Sequence, residues 1–404
     1  MSDSQPLAGV KVLDLSRVYA GPGGSMILAD LGADVIRIEA PNGTDSMRDW
    51  IPFIEGESTY YFTANRNKKS VELDLKKQKG KEIFLQLVKE ADIVLENFKT
   101  GTLKKLGLDL EQLKKVKKDI ILCSVTGYGQ TGPYKGEPGF DPVMQAIGGL
   151  MEVTGFPEGE ATRVGLPLVD IMTSQYVAIA ILAALRQRDQ TGKEQYIDLS
   201  LFEVQLSALA NVGSSYLNTG TVSTRVGNDH SYIVPYQVFK CSDRPLMVCC
   251  GNDKLFAKFC VVLARDSWID DQRFITNQAR VTNREVLSKK IAEIMITKTA
   301  DEWFTQLSQV GVPAGPVNNI EQVFQHPQAE AREVVEEVDH VKLGRIQLVK
   351  SPLKNSTLNI KTKTGPPLLG QHTEELLHSL GYQTLEINQL RKEGVIGSSD
   401  KKKV

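Results

Sequence analysis

The sequence is poor in the residues that usually carry metal or thiol chemistry. Its 404 residues include five cysteines (Cys123, Cys241, Cys249, Cys250, Cys260) and five histidines (His230, His326, His340, His372, His378). No Cys-x-x-Cys pair occurs, so neither a zinc knuckle nor a thioredoxin-type centre is expected. The odd count and loose spacing suit buried thiols in a reducing compartment. No His-Glu-x-x-His spacing occurs either, and no metal site is expected. An excess of one charge is also missing. Lys and Arg number 48 against 49 Asp and Glu, for a formal net charge of −1. A dedicated nucleic-acid binder would show a net basic domain. A balanced total still allows local clusters that face a small anion. No apolar run reaches about 18 residues, so no membrane span is expected. Residues Met1–Leu7 lack a basic start followed by an apolar stretch and are not Arg-rich. Neither a secretory nor a transit signal is expected, and the cytoplasm is the expected location. The tail Asp400–Val404 reads as a short, frayed polar end.

What is present fits a soluble globular chain of two or three domains, with 41% hydrophobic and 24% charged residues. With metal and thiol chemistry set aside, the carboxylates become the place to look. The first half alternates apolar runs with helical patterns. Strands are predicted at Val10–Leu15, Val35–Glu39, Ser70–Leu75, Ile93–Glu96, Ile120–Thr126 and Gln195–Leu199. Helices are predicted at Ser25–Leu31, Gly80–Glu90, Leu110–Lys117, Ile171–Arg188 and Phe202–Tyr216. This β–α–β rhythm is that of a parallel sheet covered by helices. The polar stretch Asn218–Asp229 reads as a linker. Beyond it a strand at Leu246–Cys250 and helices at Asn252–Leu263, Asn283–Lys298 and Ala300–Gln309 suggest a smaller α/β domain. Strands near Val334–Val338 and Arg345–Val349 and a helix over Thr373–Leu380 follow. The division is 1–217 for the first part of a large domain, 228–325 for a small one, and 326–404 for a return to the large one.

Four motifs carry candidate chemistry. Ala20-Gly21-Pro22-Gly23-Gly24 follows the first strand, and Glu39 ends the second. A Gly-rich turn can offer N–H groups to an anion, and such an acid can hold a ribose. The G-x-G-x-x-G fingerprint is absent and Pro22 removes one donor, which favours a tight strand–helix turn whose glycines serve close backbone approach. The basic stretch Asn65-Arg66-Asn67-Lys68-Lys69, with Lys76, Lys77, Lys79, Lys81, Lys104 and Lys105 beyond, is either a solvated face or a phosphate cluster. Asp170 follows the apolar run Val164–Val169 and opens an apolar helix. It reads as an N-cap, or as an ionised, poorly hydrated carboxylate able to act as a covalent nucleophile. Pro367-Leu368-Leu369-Gly370-Gln371-His372-Thr373 reads as a loop entering a helix, with His372 structural.

In order, several segments resemble the class III CoA-transferases, the formyl-CoA transferase and carnitine CoA-transferase family. They are Ala20-Gly21-Pro22, Leu28–Ile36, Asn65–Ser70, Glu96-Asn97-Phe98, Gly127–Pro133, Gly139-Phe140-Asp141-Pro142, Asp170 and Pro367–Thr373. Ser58–Tyr61, Ser231–Tyr236 and Gly311–Pro316 look closest to the succinyl-CoA-using members of hydroxymethylglutarate type. The resemblance implies an α/β fold: a large Rossmann-like parallel-sheet domain plus a smaller α/β domain, in an interlocked homodimer. It implies acyl-CoA and a small carboxylic acid as substrates, no tightly bound cofactor, and no nucleic-acid or membrane partner. It makes Asp170 the nucleophile. It assigns the CoA contacts to Tyr19, Ala20, Leu73, Asp74, Leu75, Lys76, Asn97, Phe98, Lys99, Lys105, Pro138, Gly139, Phe140 and Asp141. Two departures from formyl-CoA transferase stand out. That enzyme has Gln where Tyr19 stands, and its phosphate-binding Arg falls at Ala40, so Arg37 or the Lys cluster is expected to compensate. No Gly-rich substrate loop is evident near 228–252, which speaks against oxalate. An alternative within the superfamily is an α-methylacyl-CoA racemase, but Phe140 stands where a racemase has its proton-accepting His.

Overall fold

The computed structural model describes residues 5–398 apart from 42, 44, 358 and 359. The readings of the first residues and of the tail Asp400–Val404 lie outside the described residues. By internal contacts the chain forms two compact units. The first combines Met1–Leu150, Val164–Leu217 and Gln328–Val404, and the second combines Met151–Arg163 with Asn218–Pro327. Residues 151–163, read from sequence as part of the large domain, cluster with the second unit instead.

The first unit is organised by six strands: β1 (Lys11–Asp14), β2 (Asp34–Glu39), β3 (Lys68–Glu72), β4 (Ile93–Glu96), β5 (Ile121–Thr126) and β6 (Gln195–Ser200). Their order is β3-β2-β1-β4-β5-β6, and every neighbouring pair is parallel. The apolar runs that predicted the strands are continuous because both faces are covered. Successive side chains go to opposite cores. Leu13, Ile36, Val94 and Leu122 pack on one face, while Val12, Val35, Ile93, Leu95 and Ile121 pack on the other.

The helices of this unit include α1 (Ala20–Asp30), α2 (Gln78–Val88), α3 (Leu110–Val116), α4 (Asp141–Ile147), α5 (Leu168–Thr191) and α6 (Leu201–Ser207). Helix α1 begins five residues earlier than Ser25, because Pro22 falls in the first turn, where no N–H partner is needed. Its glycines serve a close approach to α5. A Cβ on Gly24 would lie 2.5 Å from Val177 Cγ1, and one on Gly23 2.8 Å from Ser174 Cβ. Helix α5 ends at Gly192, whose φ of 64° supplies the left-handed C-cap. By length and composition alone α5 is apolar enough to cross a membrane. Val169, Val177, Ile181 and Leu185 bury one side of it in the core, while Tyr176, Ile179 and Leu182 are exposed in the single chain. The helix expected over Phe202–Tyr216 is two helices, α6 and α7 (Ala210–Thr219), broken where Ala210 takes a φ of 43°.

The second unit holds an antiparallel sheet in the order β9-β8-β7, with β7 Tyr236–Lys240, β8 Pro245–Cys249 and β9 Ala314–Pro316. Only β8 was expected from sequence. Phe256, Phe259, Phe274 and Trp303 fill its core, with Trp303 Nε1 donating to the Met295 carbonyl at 2.8 Å. All five cysteines are free, and only Cys249 is not fully buried.

The chain then returns to the first unit as the hairpin β10 (Val335–His340) and β11 (Gly344–Val349), followed by helix α8 (Thr373–Ser379). The loop before α8 docks on β3. The Ser70 N–H donates to His372 Nδ1 at 3.1 Å, and the Glu72 N–H to Thr373 Oγ1 at 3.0 Å. His372 is thus a structural residue.

Candidate active site

Strand order reverses between β1 and β4, and the loops at the carboxyl ends of these strands diverge there. Open α/β sheets bind ligands at such a crevice. The segment after β1 runs Leu15-Ser16-Arg17-Val18-Tyr19 into α1. Val18 has a φ of 61°, held by its N–H donating to Asp45 Oδ1 at 3.1 Å. The segment after β4 is tied to it. Asn97 Oδ1 accepts the Arg17 N–H at 2.8 Å, and Asn97 Nδ2 donates to the Arg17 carbonyl at 2.8 Å. The Phe98 N–H donates to the buried carboxyl of Glu96 at 2.7 Å. After β5, Gly127 lies against Gly139 so closely that a Cβ on Gly127 would be 2.7 Å from Gly139 Cα.

These loops and the first turn of α5 enclose a cavity of about 450 Å³. Of the residues named from sequence, Tyr19, Ala20, Asn97, Phe98, Lys99, Pro138, Gly139, Phe140 and Asp170 line it. A neighbouring cavity of about 130 Å³ is lined by Arg37, Leu73, Asp74, Leu75 and Lys76. Arg17, Phe98 and Thr102 line both.

Asp170 is not the cap of its helix. Pro167 occupies the N-cap position, and Asp170 is the third helical residue. The capping role falls to Asp141, at the start of α4. Its Oδ2 accepts the N–H groups of Val169 at 2.7 Å and Asp170 at 3.2 Å, and its Oδ1 accepts from Gln145 Nε2 at 2.6 Å. The Asp170 side chain is thereby left for the cavity. Burial, and after it the Asp141 charge, pushes its carboxyl up to about 7. The Tyr19 and Tyr60 phenols are raised too, by burial first, with the Asp170 charge contributing to each.

Several sequence-based assignments change. Asp141 is buried behind the cavity and grips backbone rather than lining it. Lys105 is exposed on the helix Thr102–Leu106 and lines neither cavity. Arg37 borders the smaller cavity but is wholly buried. It pairs with Asp45, lies 3.5 Å from Glu39 and donates to Asn65 Oδ1 at 3.2 Å. Its guanidinium is engaged inside the protein and is not free for a phosphate. The basic run is largely structural as well. Arg66 pairs with Asp30 at 2.6 Å, Lys68 with Asp14 at 3.3 Å in full burial, and Lys69 with Asp34 at 3.2 Å. Glu39 borders the smaller cavity, but its carboxylate is engaged inside the protein. It accepts from Arg48 at 2.8 Å and Ser70 Oγ at 2.6 Å, and despite its burial Arg48 and Arg37 hold it down at about 2. Sequence reasoning missed Arg17. Its place just past β1, before a Gly-rich helix start, was the available signal. Among the described residues, no group of three or more His, Cys, Asp and Glu side chains could hold a metal ion.

Comparison with known proteins follows the same lines. The chain matches CoA-transferase family III over residues 7–373. It is 39% identical to succinyl-CoA:glutarate CoA-transferase of Homo sapiens over 98% of this chain and 91% of the relative. It is 38% identical to succinate–glutarate CoA-transferase of Agrobacterium fabrum over 94% and 96% of the two chains. The crystal structure of a CAIB/BAIF family protein from Brucella suis superposes with a TM-score of 0.84 at 40% identity, covering 93% of this chain and 99% of that one. The chain therefore belongs to CoA-transferase family III and is an enzyme of that class.

Proposed function

We propose that this enzyme moves CoA from a succinyl-CoA-like donor to a small dicarboxylic acid, with Asp170 as the covalent nucleophile. The observation that carries this reading is the position of Asp170, a sheltered carboxylate in the first turn of α5 that borders the cavity at the sheet's switch point. The substrate class rests on the glutarate-specific names of the relatives.

The chemistry proposed is the scheme that the family resemblance implies, and the position of Asp170 supports it. An Asp170 oxygen attacks the thioester carbonyl carbon, and the CoA thiolate leaves. The product is a mixed anhydride between Asp170 and the donor acid. The thiolate then attacks the aspartyl carbonyl, the donor acid departs as its carboxylate, and Asp170 carries CoA as a thioester. An oxygen of the acceptor carboxylate attacks that thioester and expels CoA again. The thiolate finally attacks the acceptor carbonyl of the new anhydride, which frees Asp170. Covalent catalysis splits one unfavourable exchange into steps between activated species. A carboxylate with a raised pKa is a stronger nucleophile, and a site that excludes water protects both intermediates. Phe140 borders the cavity where a racemase would need a proton acceptor, and a phenyl ring cannot serve.

The exposed apolar residues of the first unit support a homodimer as part of the proposal. Ile179 on α5, Leu206 on α6, and Tyr216 and Leu217 on α7 are 59%, 43%, 57% and 82% exposed in the single chain. Patches of this kind mark interaction surfaces. Sedimentation equilibrium tests it, and a monomer at micromolar concentration would refute it. The activity is tested by a matrix of CoA donors against free acids. Transfer from succinyl-CoA to a short dicarboxylate is expected. Failure of every dicarboxylate would remove the substrate assignment.

A further inference from the structure

Among the cations that the sequence offered for the CoA phosphates, Lys99 borders only the larger cavity and Lys76 only the smaller one. Arg37, Arg66 and Lys68 are buried in ion pairs, and Lys105 stands outside both cavities. Arg17 differs from all of them. It is half-buried, borders both cavities, and its guanidinium forms no ion pair with any described carboxylate. The nearest candidate, Asp45, is taken by Arg37. Arg17 is also held in place. Its backbone N–H and carbonyl are both bound by the Asn97 side chain, and its guanidinium carbon sits 5.2 Å from the centre of the Phe98 ring. A guanidinium over an aromatic face is attracted to it and loses little freedom on binding an anion.

We propose that Arg17 binds the pyrophosphate of the CoA substrate. This rests on the reading of the site as one for a CoA thioester. The reacting end of the ligand must reach Asp170 in the larger cavity. The smaller cavity, walled by Leu73, Leu75 and Leu106, lies beyond Phe98 and accepts the adenosine end. In CoA the pyrophosphate joins the pantetheine arm to the adenosine. A ligand that occupies both cavities therefore passes its pyrophosphate across the residues they share. Of those shared residues, Arg17, Phe98 and Thr102, only Arg17 is a cation. Arginine is well suited to this group, since its planar fork donates two parallel hydrogen bonds to phosphate oxygens.

The test compares binding of CoA, 3′-dephospho-CoA and phosphate-free pantetheine to the full-length wild type and to Arg17→Met and Arg17→Lys. Competition against a fluorescent CoA analogue reports all three ligands. Arg17→Met is expected to weaken CoA and 3′-dephospho-CoA by the same factor, about 10- to 100-fold, and to leave pantetheine unchanged. Arg17→Lys should recover part of the loss. Equal weakening of pantetheine would overturn the proposal, because it would mean that Arg17 only props the loop against Phe98. Unchanged 3′-dephospho-CoA affinity would also overturn it and would move Arg17 to the 3′-phosphate. Should Arg17→Met fail to fold, Arg17→Gln keeps the polar stem and is read in the same way. If the wild type itself did not bind CoA, the CoA-thioester reading would fall first, an outcome distinct from the others.

Discussion

The Asp141 carboxylate accepts the backbone N–H of Asp170 at 3.2 Å, so one acid holds the peptide of another. The bond has two consequences. It fixes the first turn of α5, with the Val169 N–H and Gln145 Nε2 as further donors to the same carboxylate. It also brings a negative charge near the Asp170 side chain, which adds to burial in raising its pKa.

Replacing Asp141 by Asn separates these effects. An amide accepts through one oxygen only, and its NH2 would face Gln145 Nε2. The variant should lose about 1–2 kcal/mol of stability, as for a weakened helix cap. The pH dependence should move as well. Asp170 must be ionised to attack, so wild-type kcat/KM should fall as pH drops through about 7. Removing the Asp141 charge should carry that acidic limb to lower pH. A limb that stays in place would show that the neighbouring charge has no part in tuning Asp170.

Asp170→Asn should stabilise the fold while abolishing transfer. The folded-state pKa of Asp170 is raised from 3.8 to about 7, so the carboxyl is protonated in folded and unfolded chains alike only below about pH 3, and the burial cost begins once the unfolded carboxyl ionises. Above about 7 it is charged in both, and the cost is complete. The expected gain is therefore small near pH 4, grows as pH rises, and reaches about 1–2 kcal/mol at pH 8. Thermal denaturation at the two pH values measures it. Equal melting temperatures at pH 8 would contradict the burial argument.

The contact between α1 and α5 should tolerate no bulk at Gly24. The added Cβ of Gly24→Val would sit 2.5 Å from Val177 Cγ1. Overpacking of this kind costs about 1–3 kcal/mol. Because α1 also carries Ala20 at the cavity wall, CoA affinity should fall together with stability in urea titrations. A variant as stable as wild type would show that the helices have room to separate.

Arg37→Met is expected to act on stability first. It would leave the buried Asp45 carboxylate without its cation, while Glu39 keeps Arg48, and breaking a buried pair costs about 3–5 kcal/mol. Where the variant folds at low temperature, its CoA affinity should stay within a few-fold of wild type. A selective loss of affinity without loss of stability would return Arg37 to the role of a phosphate ligand.

Much of the sheet was legible because its inner strands are covered on both faces and so read as apolar runs, as in Ile93–Glu96 and Ile121–Thr126. The start of α1 was misplaced because Pro22 suggests a turn, although proline is harmless in a first turn. The site was legible in part. Asp170 stood out by its apolar approach and helix start, yet two roles were open for it, and only the hydrogen bonds of Asp141 settle which acid caps the helix. The partners of charged residues were not legible. Arg37 pairs with Asp45 eight positions away, but Lys68 pairs with Asp14 across 54 residues, and such pairings come from sheet order rather than local pattern. Arg17 was overlooked because its importance comes from standing where two cavities meet.

The claim that Asp170 carries the transferred group is tested most directly by catching the intermediate. The enzyme is mixed with succinyl-CoA in the absence of acceptor, quenched in acid and digested, and the peptide containing Asp170 is weighed by mass spectrometry. The account predicts a CoA thioester on Asp170 that forms at a rate compatible with turnover and disappears when a dicarboxylate is added before the quench. An unmodified Asp170 in a preparation that is turning over, or an adduct on another carboxylate such as Glu96, would contradict it.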